Sequence, residues 1–306
     1  MKIYQSSLNI SVIKELNRIN PALKPNVLVT FYGLDRPMDY TKTYRSMING
    51  LILDCGAFSL NRKKLSPEAH AIECDNLFRQ YRDYTKLTQN DYDFLFSFDD
   101  DFTPNGFDHN LDRLMDLEAA GITVVPVIHN LHNHEIKYFI DAKPKYPLVA
   151  IGQCKDDDRD NLEVLFEAVD SLYSNGIRVH LFGMTTPKLI SHVPAYSCDS
   201  IAWLDYASRG RALYYNPESG SLDKEELIYF PDKQDFGDPG NAVYYKEYRY
   251  MDAFLAHAKS KLNLELEDLI AAQTQAISLN LVNALYFMEL EERITKENQD
   301  RGITFP

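Results

Sequence analysis

Three aspartates carry the chemistry that can be read from this chain. Asp54 ends the apolar run of LILDCGAFS (Leu51 to Ser59), Asp99 ends that of FLFSFDDDFTP (Phe94 to Pro104), and Asp199 lies in SCDSIAWL (Ser197 to Leu204). A carboxylate at the end of a buried-type strand is costly to desolvate unless it is paired or used. Two such groups in different surroundings can divide the work of a nucleophile and an acid, the combination that cleavage of a glycosidic bond requires. Asp199 is the least regular of the three because it precedes its apolar run. Taken singly, each aspartate could also serve only as a helix N-cap at a strand-to-helix turn. Asp100 and Asp101 read as solvated loop charge.

Widely separated aspartates meet only if the elements bearing them share an end. Apolar, β-rich runs occur at Lys2–Tyr4, Val27–Tyr32, Leu51–Asp54, Phe94–Phe98, Thr123–Ile128, Leu148–Ile151, Val179–Phe182 and Ile201–Leu204. Helix-like stretches lie between them at Pro67–Thr88, Asn110–Ala120, Asn161–Asn175 and Pro187–Val193, and Ala120-Gly121 and Asn175-Gly176 close two of these just before the next strand. This alternation predicts a parallel sheet, and eight strands predict closure into an α/β, TIM-type (β/α)8 barrel whose strands all open on one face. The barrel is expected over residues 1–211. Residues 212–306 read as a loop-rich connection followed by C-terminal helices, Met251–Lys261 and Leu266–Glu292, packed on the barrel as an appendage.

Composition sets the outer bounds. Of 306 residues, 45% are hydrophobic and 12% aromatic, enough for a well-buried core. No apolar run is long enough to span a bilayer and the N-terminus lacks a signal-peptide pattern, so a cytoplasmic protein without a membrane partner is expected. Cys55, Cys74, Cys154 and Cys198 have neither zinc-site nor disulfide-framework spacing and read as buried thiols. The net charge of −13 excludes a broad polyanion-binding surface, leaving Arg209 and Arg211 as candidate contacts to a nucleic-acid backbone.

With these motifs placed, the chain resembles the tRNA-guanine transglycosylase superfamily. The family's DSGGFQ is matched by DCGAFS at Asp54–Ser59, its FDECTP by FDDDFTP at Phe98–Pro104, and its MGVGTP by FGMTTP at Phe182–Pro187. Its FDC segment with a following Arg-rich turn is matched by Cys198–Ser200 and Ser208–Arg211. The resemblance implies double displacement at an N-glycosidic bond, with Asp199 as nucleophile and Asp54 handling protons on the base. It implies that Asp99 binds the base edge, that Phe58 and Phe182 stack on the base, and that His129, Gly152, Gln153 and Gly183 complete the pocket. Zinc-binding cysteines of the tRNA-acting members have no counterpart after Cys198, and His129 stands where a glutamine reads the base. The resemblance is therefore to the zinc-lacking branch that inserts 7-deazaguanines into DNA. It implies DNA rather than tRNA as partner, a free base as co-substrate, and neither metal nor other cofactor.

Two further readings of these residues stay open. One is a DNA glycosylase that excises a modified base and leaves an abasic site, as in phage defence. The other is either a metal-dependent barrel hydrolase using His129, His132 and His134 or an inactive binding subunit. The sequence leaves the identity of the base and the oligomeric state undetermined.

Overall fold

The computed structural model describes residues 1–132, 134–152, 162–219, 225–231, 240–270 and 275–305. Eight parallel strands form one curled sheet: β1 (Lys2–Ser6), β2 (Asn26–Thr30), β3 (Leu51–Asp54), β4 (Phe94–Leu95), β5 (Val127–Ile128), β6 (Leu148–Ile151), β7 (Arg178–Leu181) and β8 (Ser197–Ser200). Their spatial order is β4-β3-β2-β1-β8-β7-β6-β5, so each strand neighbours its sequence neighbours and β1 pairs with β8 as well as β2. The edge strands β4 and β5 share no ladder. They meet at one parallel bridge, Phe96 to Val125, where the Ser97 N–H donates to the Val125 carbonyl at 2.8 Å and the Val125 N–H to the Leu95 carbonyl at 2.7 Å.

Helices return the chain between strands: α1 (Ile10–Ile19), α2 (Ala57–Asn61), α3 (Pro67–Thr88), α4 (Phe107–Ala119), α5 (Glu135–Asp141), α6 (Leu162–Ser174), α7 (Pro187–Ile190) and α8 (Ala202–Ser208). Local chemistry accounts for their limits. Asn9 caps α1 by accepting from the Val12 N–H, and Ser66 caps α3 with Pro67 at the first helical position. The buried face of α3 repeats at helical spacing through Cys74, Leu77, Phe78, Tyr81 and Thr85. Gly121 and Gly176, with φ of 79° and 75°, end α4 and α6 in the left-handed conformation that the sequence signals anticipated.

One expected strand is misplaced. Ile201–Leu204 is not a strand: Ala202–Leu204 starts α8, and the strand is the polar-looking Ser197–Ser200. Side chains alternate along a strand, so Ser197 and Asp199 face the sheet interior while Cys198 joins the apolar layer beneath the helices. That parity removes the irregularity of Asp199, which lies within its strand rather than before it. Strands β4 and β5 are also shorter than the apolar runs that contain them.

Two apolar layers result. Tyr4, Leu28, Ile52, Phe96, Val125, Val127, Leu148 and Ala150 fill the concave side of the sheet, and a larger cluster packs the helices on its outside. No described helix is long and apolar enough to cross a membrane.

After α8 the chain forms a small sheet of β9 (Arg211–Tyr214), β10 (Glu226–Tyr229) and β11 (Val243–Tyr244), then α9 (Met251–Leu262), α10 (Leu266–Ile270) and α11 (Gln275–Asp300). Helix α11 is built into the wall of the main sheet. Its Glu291 carboxylate accepts from the Ile3 N–H and the Asn26 amide, both at 2.6 Å, and its Ala284 carbonyl accepts from Gln5. Asn283, fully buried, accepts from the Leu213 N–H at 2.7 Å and donates to the carbonyls of Trp203 and Arg211, both at 3.1 Å. Asn283→Ala leaves these backbone groups unpaired in the core and is expected to cost about 3 kcal/mol. Thermal melting checks this, and an unchanged melting temperature would show that the bridge from α11 to α8 and β9 is dispensable.

Candidate active site

Strand alternation explains which side chains collect above the concave core. Two residues beyond the core positions Tyr4, Ile52, Val127 and Ala150 come Ser6, Asp54, His129 and Gly152, and two beyond the inward-facing His180 comes Phe182. Asp199 joins them from β8 and Asp99 from the loop after β4. All belong to the C-terminal ends of parallel strands, the end at which open α/β sheets and barrels place their sites.

The Asp199 carboxylate is held from three sides. Oδ2 pairs with the Ser6 hydroxyl, while Oδ1 accepts from the Gly183 N–H at 3.1 Å and lies 3.2 Å from Nε2 of the fully buried His180. With a carboxylate at Asp199, Nε2 of His180 carries the proton and donates, and Nδ1 accepts from the Ser197 hydroxyl at 2.8 Å. Gly183 has φ of 67°, which a residue with a Cβ adopts only with strain, so glycine is what lets this N–H point at the carboxylate.

Asp54 is a different kind of acid. Burial pushes its pKa up to about 8, with the charges of Asp99 and Asp199 adding to the effect and the Gly56 and Cys55 N–H groups opposing it. Its Oδ2 accepts from the Gly56 N–H at 3.1 Å. Gly56 has φ of 86°, and a Cβ there would come within 2.4 Å of the Tyr32 Cβ and 2.7 Å of the Thr30 methyl, so no larger residue fits the turn that aims this N–H.

Asp99 is braced by Cys55, whose Sγ lies 3.4 Å from Oδ1, and by His129, whose Nε2 lies 2.8 Å from Oδ2. Burial, then the charges of Asp99 and Asp54, push the Cys55 thiol up, so it remains protonated and can donate to Asp99. Nδ1 of His129 is buried with no hydrogen-bond partner among the described residues, and a Cβ at Gly152 would lie 3.0 Å from it. His129 therefore orients Asp99 rather than presenting a ring nitrogen to open space, and Gly152 is the clearance its imidazole needs. The main chain of His129 is fixed in turn by the buried Glu135, which accepts from its N–H at 2.9 Å.

Other expected site residues are placed less uniformly. Phe182 is half-buried against Phe96 and His180, with ring centroids 4.4 and 4.9 Å away. Phe58 is 45% exposed on α2 and lies 6.3 Å from Phe102, which packs on His129 at 4.8 Å. Among the described residues the two phenylalanines form no ring contact with each other, and Phe58 is linked to the cluster through Phe102 and His129. Gln153 and Cys154 lie outside the described residues, as does the Asp156–Asp158 run. Arg209, at the end of α8, pairs with Asp205 at 2.9 Å. Arg211 lies in β9 with its guanidinium against Gly240. Among the described interactions, no hydrogen bond or ion pair joins either arginine to Asp54, Asp99 or Asp199.

Asp100 departs from its expected role. Its side chain is only 6% exposed and pairs with His109 at 2.7 Å and Arg113 at 3.6 Å, so it braces the loop instead of carrying solvated charge. The histidine run does not converge either. His129 is committed to Asp99, and the ring of His134 packs edge-on against Phe107. Among the described residues, no group of three His, Cys, Asp or Glu side chains is placed to hold a metal ion. Sequence reading missed Ser6 and His180: β1 (KIYQS) and β7 (RVHL) carry other polar residues, Lys2 and Arg178, at the same inward parity, so neither residue stands out in its strand.

No protein-family model matches this chain, and no curated protein matches it significantly.

Proposed function

We propose that this chain is a TIM-type (β/α)8 barrel enzyme that cleaves the N-glycosidic bond of a nucleic-acid base by double displacement. The observation that carries this reading is the meeting of two chemically distinct carboxyl groups at one strand-end cluster. Asp54 retains a proton at neutral pH, and Asp199 is aimed by Ser6, His180 and the Gly183 N–H. In this reading an Asp199 oxygen attacks the anomeric carbon and the bond to the base breaks with its electron pair. Asp54 gives its proton to the departing nitrogen, leaving a glycosyl ester on Asp199. A second base, deprotonated by the Asp54 carboxylate, then displaces Asp199 and restores both groups. Asp99, steadied by His129 and Cys55, accepts hydrogen bonds from the base edge.

Such a pocket can act only on a base that leaves its stack, a step costing a few kcal/mol that stacking on Phe58 and Phe182 offsets in part. DNA is the proposed polymer and a 7-deazaguanine-type base the proposed co-substrate, both resting on the likeness to the zinc-lacking transglycosylases. Incubating the protein with modified DNA, unmodified DNA and tRNA, with and without added free base, and following released base by mass spectrometry tests this. Release coupled to incorporation is expected. Release that leaves an abasic site would instead make the enzyme a hydrolase, and no release from any polymer would sink the proposal.

A further inference from the structure

A second cavity, of about 510 Å³, opens at the opposite end of the sheet, where the strands begin. Phe94, Val125 and Leu148 form part of its lining and belong to the apolar filling of the sheet, so they separate it from the carboxylate cluster. Its volume lies in the range that holds a small organic ligand.

The charges around this mouth are unbalanced in a specific way. The carboxylates nearby are already engaged: Asp93 with Arg45 at 3.3 Å and with the Leu51 N–H, Glu118 with Lys145 at 2.7 Å, and Glu291 with the Ile3 N–H and the Asn26 amide. Two lining cations, Lys2 and Arg178, open β1 and β7 at the same parity as the inward-facing Tyr4 and His180, and neither forms an ion pair among the described residues, Lys2 lying only within electrostatic reach of Glu291. Arg178 instead lies over the Tyr196 ring at 4.8 Å. On a chain of net charge −13, a cavity lined by Lys2, Lys145 and Arg178 against the one carboxylate of Asp93 is a local reversal of sign.

Tyr4 supplies an independent observation. It is fully buried, and its hydroxyl has no hydrogen-bond partner among the described residues, a state that is costly in a protein interior. The charged end of Asp93 and the hydroxyl of Tyr196, both from the cavity lining, lie within electrostatic reach of it. The Tyr4 ring edge faces the position a Gly50 Cβ would take, at 3.1 Å, just before β3 begins. The hydroxyl is thus directed to the end of the sheet where this cavity lies.

We propose that this cavity is a second binding site, for a phosphate ester of mononucleotide size. The aromatic part of the ligand enters against Phe94 and Tyr196, with the buried Tyr4 packed behind Phe94, and its phosphate is held at the mouth by Lys2 and Arg178. The inference does not depend on the glycosidic chemistry assigned to the other end.

Calorimetric titration of the full chain with AMP, adenosine and inorganic phosphate tests it. AMP is expected to bind, adenosine at least tenfold more weakly, and the Lys2→Ala/Arg178→Ala double variant is expected to lose AMP affinity by tenfold or more. Inorganic phosphate binding as tightly as AMP, and lost in the same variant, would assign the site to the free ion while keeping its phosphate chemistry. Asp199→Asn should bind AMP as the wild type does, which separates this site from the carboxylate cluster. Absence of AMP and phosphate binding at millimolar concentration would overturn the proposal, as would undiminished affinity in a folded double variant.

Discussion

Asp199→Asn is expected to lower base release by roughly 10⁴-fold or more while the protein keeps its fold, the loss expected when a covalent nucleophile is removed. The amide is nearly isosteric, and its oxygen can still accept from the Gly183 N–H that now meets Oδ1. What it lacks is the charge to attack an anomeric carbon. Single-turnover base release with the most active polymer measures the effect, and trapping a protein–nucleic acid adduct on a denaturing gel gives a second readout. The wild type should yield the adduct and the variant none. Base release at the wild-type rate would remove Asp199 from the chemistry and leave its three hydrogen-bonding neighbours without a catalytic explanation.

The second large effect belongs to Asp54 and has two signatures of opposite sense. In the proposed role of acid to the departing base, it should support a rate that holds below about pH 8 and falls above it, where the proton is lost. Asp54→Asn should lower the rate by about 10²–10⁴-fold. Stability responds the other way. The folded-state pKa of about 8 lies above the unfolded value for aspartate, about 3.9, so between these limits the native chain holds a proton that the unfolded chain has released. The stabilisation is fully present below about pH 4 and is lost as pH rises through about 8, at up to about 1.4 kcal/mol per pH unit. Asp54→Asn removes this slope. Because the carboxyl is only partly screened from water, the gain for the variant at pH 8 is expected nearer 2 kcal/mol than the full integral. Melting curves at pH 5 and pH 8 decide it: a constant difference between wild type and variant across that range would mean that Asp54 does not carry the unusual proton.

Such a trade between stability and activity is what a strand-end cluster of carboxyl groups entails. Asp54, Asp99 and Asp199 repel one another when charged, and only hydrogen bonds from Gly56, Cys55, His129, His180, Ser6 and Gly183 make the arrangement tolerable. Those donors come from β1, β7 and the loops after β3, β5 and β7, which is why no local stretch of the chain discloses them together.

The sequence by itself determined the periodic part of this protein. Apolar runs separated by capped helices specify a parallel sheet because burial on both faces leaves a continuous apolar signal, and Ser66-Pro67, Ala120-Gly121 and Asn175-Gly176 mark helix limits through purely local chemistry. Asp54 and Asp99 were legible for the same reason, as charges where an apolar run ends, whereas Asp199 precedes the run beside it and lies within a polar-looking strand. Tertiary structure decided everything that depends on parity and on distant partners. Ser197–Ser200 is a strand because two neighbours pair with it and because Cys198 alone must face the helices, and its local composition carries no such sign. His129 becomes a brace for Asp99 only when β5 is placed near the end of β4, and Asp100 is buried because His109 and Arg113 of α4 fold back over it. Hydrogen bonds and desolvation are set by which groups meet in space, and a one-dimensional pattern records the first neighbour along the chain, not the one across the sheet.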